Sequence, residues 1–160
     1  MRTLIVYAGT AGATERCAHL LAEQMGDSKT ADLNKETPDI DNYDIVVVGS
    51  NIHMGKFHKK VKDFMNTCQE ELKNKKHGFF ISNAFPEQAE TFLMQNITQE
   101  LLSTSICAAS FGGELDVTKL KGMDKFIAKM VSNTTKGDES KVPKILEDSI
   151  KVFADTLKQA

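Results

Sequence analysis

The run from Leu4 to Glu15 constrains this chain more than any other stretch. It opens with Leu-Ile-Val-Tyr, a set of apolar β-formers that indicates a strand buried on both faces. Ala8 to Thr14 are small or hydroxylated, and beyond Thr14 apolar residues recur at helical spacing, at Cys17, Leu20, Leu21 and Met25. A strand that enters a helix through such a loop directs backbone N–H groups and the positive end of the helix dipole at one point. The sequence therefore predicts a phosphate site in this loop.

Residue types within the loop separate three kinds of phosphate site. A Walker loop needs Lys followed by Ser or Thr at the helix start, but Gly12 is followed by Ala13 and Thr14, which disfavours nucleoside triphosphate hydrolysis. A dinucleotide loop needs three glycines spaced G-x-G-x-x-G, and only Gly9 and Gly12 are present. The run Gly9-Thr10-Ala11-Gly12-Ala13-Thr14 instead resembles the flavodoxin loop S/T-x-T-G-x-T, which holds the phosphate of FMN.

This resemblance implies FMN as the cofactor, with Gly9, Thr10, Ala11, Gly12, Ala13 and Thr14 around its phosphate. The chain departs from the family pattern twice, because Gly9 replaces a Ser or Thr and Ala11 replaces a Thr. Two hydroxyls are therefore missing, and the phosphate would be held by Thr10, Thr14 and backbone N–H groups. A protein that has kept the fold and lost the flavin stays open as an alternative.

Strand and helix patterns alternate along the rest of the chain. Strands are predicted at Leu4–Tyr7, Ser28–Leu33, Asp44–Gly49, Gly78–Ser82 and Ser105–Phe111. Helices are predicted after Thr14 and at Phe57–Leu72, Glu87–Leu102, Lys119–Val131 and Val142–Leu157. Alternation of this kind gives right-handed crossovers and a parallel sheet. We expect one α/β domain over residues 1–160, a flavodoxin-like three-layer sandwich whose five parallel strands lie in the order 2-1-3-4-5 with helices on both faces.

Composition narrows the function classes. Hydrophobic residues make up 41% and charged residues 26% of the 160 residues, as in globular proteins, and the net charge of -2 does not favour a nucleic-acid partner. No apolar run approaches a membrane span, and the N-terminus lacks a signal-peptide pattern. The three cysteines are scattered, which argues against a disulfide frame, a zinc site or an iron–sulfur cluster. We expect a cytoplasmic protein without a metal.

The stretch GSNIHMGKFHKKVKDFM, which follows the third predicted strand, carries a second resemblance. Its pattern S-x-I-x-x-G-x-x-H, formed by Ser50, Ile52, Gly55 and His58, looks like the quinone-dependent protoporphyrinogen dehydrogenases and their short flavodoxin relatives. The runs GGEL from Gly112 and KLKGMDKFIAKMV further on are also similar to that branch. Those dehydrogenases usually carry Arg and Tyr where this chain has His53 and Met54. They also have a long insertion after the fourth strand, for which the residues 83–88 leave little room.

A ligand in such a sheet binds beyond the carboxyl ends of the strands, where the strand order reverses. A flavin there needs apolar cover for its ring and polar backbone along one edge. The resemblance therefore implies two further groups of binding residues. The first group is Ser50, Asn51, Ile52, His53, Met54 and Gly55, and the second is Asn83, Ala84 and Phe85. No covalent catalytic residue is expected.

Charge near the expected ring distinguishes two roles. Six cationic or titratable groups follow the third strand: His53, Lys56, His58, Lys59, Lys60 and Lys62. They would stabilise a reduced flavin anion, although Lys59, Lys60 and Lys62 are more typical of a solvated helix face, and both interpretations stay open for His53 and Lys56. The leading hypothesis is an FMN-binding redox protein that exchanges electrons with a redox partner protein or a quinone. The alternative is an enzyme of the quinone-dependent protoporphyrinogen dehydrogenase type.

Two remaining hypotheses carry less support. A phosphoacceptor signalling domain would need acidic residues at the ends of strands one and three, but the chain has Tyr7-Ala8 and Gly49-Ser50 there. Lysines opposite the apolar stripe of the Lys119–Val131 helix could lie on an anionic membrane. Such a stripe is more often packed on the sheet, so peripheral membrane contact is not expected.

Overall fold

The computed structural model describes residues 1–113 and 144–160. Its strands are β1 (Thr3–Ala8), β2 (Ser28–Asp32), β3 (Ile45–His53), β4 (Lys56–Phe57), β5 (Lys76–Ser82) and β6 (Cys107–Ser110). The sheet order is β2-β1-β3-β5-β6, and all four of these pairings are parallel. This confirms the predicted 2-1-3-4-5 order, since β5 and β6 are the fourth and fifth strands of the prediction. Short β4 is additional and pairs antiparallel with the end of β3.

Helices cover both faces of the sheet, as predicted. They are α1 (Ala13–Met25), α2 (Lys59–Thr67), α3 (Gln69–Lys73), α4 (Ala89–Asn96), α5 (Gln99–Thr104) and α6 (Glu147–Gln159). Helices α1 and α6 pack on one face, over a buried core that includes Ile5, Leu21, Phe80, Phe111 and Phe153. The core of the other face lies under α2 to α5 and includes Leu4, Val48, Phe64, Leu72 and Leu101. None of the described helices is long and apolar enough to cross a membrane.

Strand β3 is longer than the sequence predicts. The predicted strand ended at Gly49, but residues 50–53 continue it to His53. Pairing with both neighbours extends it, because Ser50 lies opposite Ala8 of β1 and Asn51 lies opposite Ser82 of β5. The predicted end of this strand at Gly49 was therefore wrong. Hydrogen bonding to the two neighbouring strands keeps this part of the backbone extended, although its polar residues are more typical of a loop.

Two predicted helices are interrupted. Phe57 belongs to β4, and the expected helix Phe57–Leu72 breaks at Cys68, which separates α2 from α3. The expected helix Glu87–Leu102 becomes a 3-10 turn at Pro86–Gln88, then α4 and α5. Ile97 adopts an extended backbone (ψ 135°) between α4 and α5, with its side chain 4% exposed in the core. Neither break has a Gly or Pro to mark it.

The last helix begins later than predicted, at Glu147 and not at Val142. Residues 144–146 are not helical, because they bond to the segment that follows β6. The Gly113 N–H donates to the Lys144 carbonyl (3.1 Å), and the Leu146 N–H donates to the Phe111 carbonyl (2.8 Å). The predicted helix Lys119–Val131, its lysines and the similar run KLKGMDKFIAKMV lie outside the described residues.

Candidate functional site

The loop between β1 and α1 presents backbone N–H groups. Gly12, the N-cap of α1, has a left-handed backbone (φ 90°) and offers no capping side chain. The first helical hydrogen bond runs from the Arg16 N–H to the Gly12 carbonyl (3.1 Å). Within the described part of the chain, no protein acceptor faces the N–H groups of residues 10–15. Donors at the start of a 13-residue helix are thus left for an anion, as a phosphate site requires.

Thr14 has its side chain turned away from solvent. It is 1% exposed, and its Oγ1 lies 2.6 Å from Oγ of Ser82 at the end of β5. The side chain also fills the space beside Gly9, because a Cβ placed at Gly9 would lie 2.5 Å from Thr14 Oγ1. With Thr14 in this position, only glycine fits at residue 9, so flavodoxins with Ser or Thr there must place their last loop Thr differently. Phosphate contact by Thr14 stays a prediction, and the exposed hydroxyl of the loop is that of Thr10.

Ser50 and Asn51 connect the two loops at the carboxyl edge of the sheet. Asn51 donates from Nδ2 to Oγ1 of Thr10 (3.1 Å), while its Oδ1 is buried without a partner among the described residues. Ser50 is fully buried, and its Oγ accepts from the His58 N–H (2.9 Å). Ser50 therefore positions the start of α2, whereas Asn51 holds the hydroxyl of the phosphate loop.

A two-residue turn closes the hairpin formed by β3 and β4. Met54 and Gly55 both have positive φ (53° and 76°), and His53 pairs with Lys56 across the turn. Positive φ suits Gly but strains Met, whose side chain is 71% exposed. The expected cover residues His53 and Met54 are thus exposed at the hairpin tip, whereas Ile52 packs against the core below.

Asn96 fixes this hairpin to α4, a role that sequence reasoning missed. Its Nδ2 donates to the Gly55 carbonyl (2.9 Å), and its Oδ1 accepts from the Phe57 N–H (2.9 Å). Asn96 lies 41 positions along the chain from Gly55, inside a predicted helix. No local pattern could have identified it, since the hydrogen bonds depend on how α4 packs against the hairpin.

The loop after β5 forms the other expected rim. Asn83 is 7% exposed and uses its amide internally, accepting from Ser110 Oγ (2.6 Å) and donating to the Phe85 carbonyl (2.6 Å). Its backbone N–H bonds to the Gly112 carbonyl (2.9 Å). Phe85 is 39% exposed and Ala84 is half-buried, so these two residues are the accessible part of this rim.

A cavity of about 530 Å³ lies between the phosphate loop, the hairpin and α2. It is lined by Thr10, Asn51, His53, Met54, Lys56, Phe57, His58, Lys59 and Lys62. Residues 83–85 are absent from this lining, so the structure does not bring all the predicted site residues into one cavity. None of the lining residues is acidic. The pKa of His58 is lowered by burial and by nearby Lys60, and the charge of Asp32 opposes this shift.

These residues fit the phosphate end of FMN. The donors are amides at a helix start that no acceptor in the described ranges pairs, the loop residues are small, and Thr10 adds an exposed hydroxyl held by Asn51. A residue with a Cβ would be strained at position 12, because φ is positive there. Glycine adopts this conformation without strain and leaves the backbone of the loop accessible. The tetrapeptide Thr10 to Ala13 is therefore the segment that would hold the phosphate.

Comparisons with known proteins agree with this geometry. The chain is 24% identical over 150 residues to protoporphyrinogen IX dehydrogenase [quinone] of Escherichia coli K12, covering 86% of this chain and 82% of that protein. It resembles oxidised flavodoxin 1 of Bacillus cereus with a TM-score of 0.56 and 14% identity, over 99% of this chain and 98% of the other.

A larger protein contains the same fold as one part. Rubredoxin oxygen:oxidoreductase of Desulfovibrio gigas matches with a TM-score of 0.50 and 16% identity, over 99% of this chain. This chain covers 37% of the length of that oxidoreductase. At these identities, the two structural matches establish the fold alone. The sequence profile of the flavodoxin domain matches residues 4–141, and the chain therefore belongs to the flavodoxin domain family.

Proposed function

We propose that this protein binds FMN without a covalent bond and transfers electrons through it, in the cytoplasm and as a single domain. The observation that carries the proposal is the start of α1, where the left-handed Gly12 leaves several N–H groups without acceptors among residues 1–113 and 144–160. Membership of the flavodoxin domain family supports the same conclusion. The exposed hydroxyl of Thr10 adds a side-chain donor at the same point.

The other residues have separate roles in this proposal. Bound FMN supplies the chemistry of accepting and releasing electrons. The hairpin tip, with His53 and Met54, and the opposite rim, with Ala84 and Phe85, would limit solvent access to the ring. Cations on the hairpin and on α2 favour an anionic reduced ring electrostatically, so they raise its reduction potential.

An enzyme of the quinone-dependent protoporphyrinogen dehydrogenase type is the second candidate, favoured by the Escherichia coli relative. The shared pattern of Ser50, Ile52, Gly55 and His58 has a structural explanation here. Ser50 bonds the backbone of His58, Ile52 packs in the core, Gly55 closes the turn and His58 caps α2. The pattern therefore specifies the hairpin, and it does not by itself specify a reaction. Electron transfer is the broader of the two proposals.

The test is FMN titration of the purified protein, followed by the visible spectrum and by quenching of flavin fluorescence. We expect saturable binding of one FMN per chain. Gly12→Val should weaken binding strongly, because Val cannot easily adopt the positive φ that exposes the N–H groups. Gly26→Val is the matched control, since Gly26 ends the same helix with φ 85° and lies far from the loop. Equal FMN affinities for the two variants would refute the phosphate site.

A second measurement separates the two candidate functions. Protoporphyrinogen and a menaquinone analogue are supplied to the FMN-loaded protein, and oxidation is followed spectroscopically. Turnover above the rate in buffer would support the dehydrogenase. Electron exchange with a flavin reductase in the absence of such turnover would support the carrier.

A further inference from the structure

The hairpin and the first turns of α2 form a surface of concentrated positive charge. We call it the basic hairpin face and define it by His53, Met54, Lys56, Lys59 and Lys62, all of which line the cavity described above. The whole chain has a net charge of -2, so this positive charge is local and does not reflect an overall excess of basic residues. A patch of one sign on a nearly neutral molecule attracts and orients a partner of opposite charge.

The lysines of this face are poorly neutralised. Lys59 lies 3.9 Å from Asp63, but the Lys59 side chain is 89% exposed and an exposed pair of this kind is weak. Among the residues that the structure describes, neither Lys56 nor Lys62 has an acidic partner within ion-pair distance. Most of the charge is therefore available to an external partner.

An apolar side chain projects from the same face. Met54 stands at the hairpin tip with 71% of its surface exposed, between the cations. Apolar centres with a charged rim are typical of protein–protein interfaces, and Met adapts to irregular partner surfaces. The two hydrogen bonds of Asn96 hold the hairpin in place before a partner arrives. Docking would therefore cost little conformational entropy.

We propose that the basic hairpin face is the docking surface for an acidic electron-transfer protein. The inference rests on the proposed function and specifies its partner. In the transfer step, one electron leaves the reduced metal centre of the partner and enters the flavin, so the partner is oxidised and the flavin is reduced by one electron. Docking here places the partner beside the expected ring, since the hairpin tip is one rim of the flavin site.

Two other occupants fit the surface less well. A small anion needs enclosed donors, whereas Lys56 and Lys59 are exposed. Ser50 Oγ already donates to the Asn51 carbonyl and accepts from the His58 N–H. Nucleic-acid surfaces rely on Arg and on exposed stacking aromatics, but the chain has Arg only at positions 2 and 16. Phe57, which lies beside the face, is buried, so the His53 imidazole is the exposed ring of the face.

The first test uses reduced plant-type ferredoxin, an acidic iron–sulfur protein, as the electron donor to the FMN-loaded chain in stopped flow. Attraction predicts that the second-order rate constant falls about tenfold as salt rises from about 10 mM to about 300 mM. The double variant Lys56→Glu/Lys62→Glu should lower the rate about tenfold at low salt and remove the salt dependence. Lys151→Glu/Lys158→Glu changes the net charge equally on α6, across the sheet, and should stay within about twofold of the parent.

The second test needs no flavin, so it separates failure of docking from failure of the proposed function. Protein without FMN is passed over immobilised ferredoxin. We expect weak, saturable binding that is lost in Lys56→Glu/Lys62→Glu and retained in Lys151→Glu/Lys158→Glu. Equal behaviour of the two double variants in both tests would overturn the proposal. The proposal would also be overturned if citrate or phosphatidylserine vesicles bound the protein in a way that needs Lys56 and Lys62, while ferredoxin binding did not need these lysines. Those outcomes would assign the face to a small anion or to a membrane.

Discussion

The loop after β1 and the hairpin after β3 lie side by side at the carboxyl edge of the sheet, yet they are built differently. The loop, Gly9 to Thr14, has no charged side chain and presents backbone N–H groups. The hairpin presents Lys56 and an exposed Met54. Backbone recognition depends on shape and side-chain recognition depends on charge. Changes of volume in the loop should therefore affect cofactor binding, whereas changes in the hairpin should affect stability and partner choice.

Gly9→Ala should have the largest effect. Its Cβ would lie 2.5 Å from Thr14 Oγ1, and the bond to Ser82 holds Thr14 in place. The loop must therefore move, at a cost of about 1–3 kcal/mol, and FMN affinity should fall about tenfold to a hundredfold. FMN titration measures the loss.

Gly9→Ala/Thr14→Ala is the control for this clash. Removal of Oγ1 relieves the contact at 2.5 Å, but the Cβ of residue 14 stays 2.8 Å from the added methyl group, so only a small part of the FMN affinity should return. Parental affinity in Gly9→Ala alone would show that the loop tolerates a side chain there, and the contrast between loop and hairpin would fail.

Asn96→Leu should have the next largest effect, on the hairpin. It removes the hydrogen bonds to the Gly55 carbonyl and the Phe57 N–H, so the free energy of unfolding should fall by about 1–3 kcal/mol. Hydrogen exchange at the Phe57 amide should become faster. Urea denaturation and exchange mass spectrometry measure the two changes. Asn74→Leu is the control, because the exposed Asn74 side chain donates to the Glu70 carbonyl of its own helix and not to another element that the structure describes. An equally large loss of stability in Asn74→Leu would contradict the prediction.

Met54→Asn should stabilise the protein modestly. Asn tolerates the left-handed backbone of this turn better than Met, so the free energy of unfolding should rise by about 0.5–1 kcal/mol. Met94→Asn is the comparison, because Met94 is also exposed but lies in α4, where Asn is a poorer helix former than Met. If Met94→Asn were more stable than the parent protein, or if Met54→Asn were not, the results would argue against strain at the turn.

The smallest effect concerns His58 and pH. Burial lowers its pKa from the usual 6.5, so the folded protein binds fewer protons at this residue than the unfolded chain does. The stability that neutral His58 contributes is therefore present above pH 6.5 and is lost as the pH falls through the lowered pKa of the folded state. His58→Asn retains a side-chain cap without titrating. The urea midpoint should fall less in His58→Asn than in the parent protein as the pH is lowered from about 7.5 to about 5. An equal fall in both proteins would contradict a lowered pKa of His58.

Much of the fold follows from composition within single segments. The run Asp44 to Gly49 predicts a strand covered on both faces because Ile and Val alone fill its centre, and the strand order follows from the alternation of elements. The breaks at Cys68 and Ile97 could not be predicted in this way. Both breaks allow the chain to pack against the sheet, and neither Cys nor Ile is a residue type that normally ends a helix.

The candidate site divides in the same way. Local sequence predicts a phosphate site in the loop after β1, since small residues between a strand and a helix are typical of such sites. The orientation of Thr14 depends on Ser82, 68 positions away, and the position of the hairpin depends on Asn96. Such contacts between distant residues are set by the assembled sheet, so only the structure shows them.

The packing of Thr14 against Gly9 has a consequence for comparing relatives. In the present packing, the Thr14 side chain occupies the volume that a Cβ at residue 9 would need. The flavodoxin pattern has a hydroxyl residue at the first loop position and Thr at the last, so those relatives must place the two side chains differently. The contact between Thr14 and Ser82 should therefore accompany glycine at the first position, and relatives with Ser there should turn the last Thr another way.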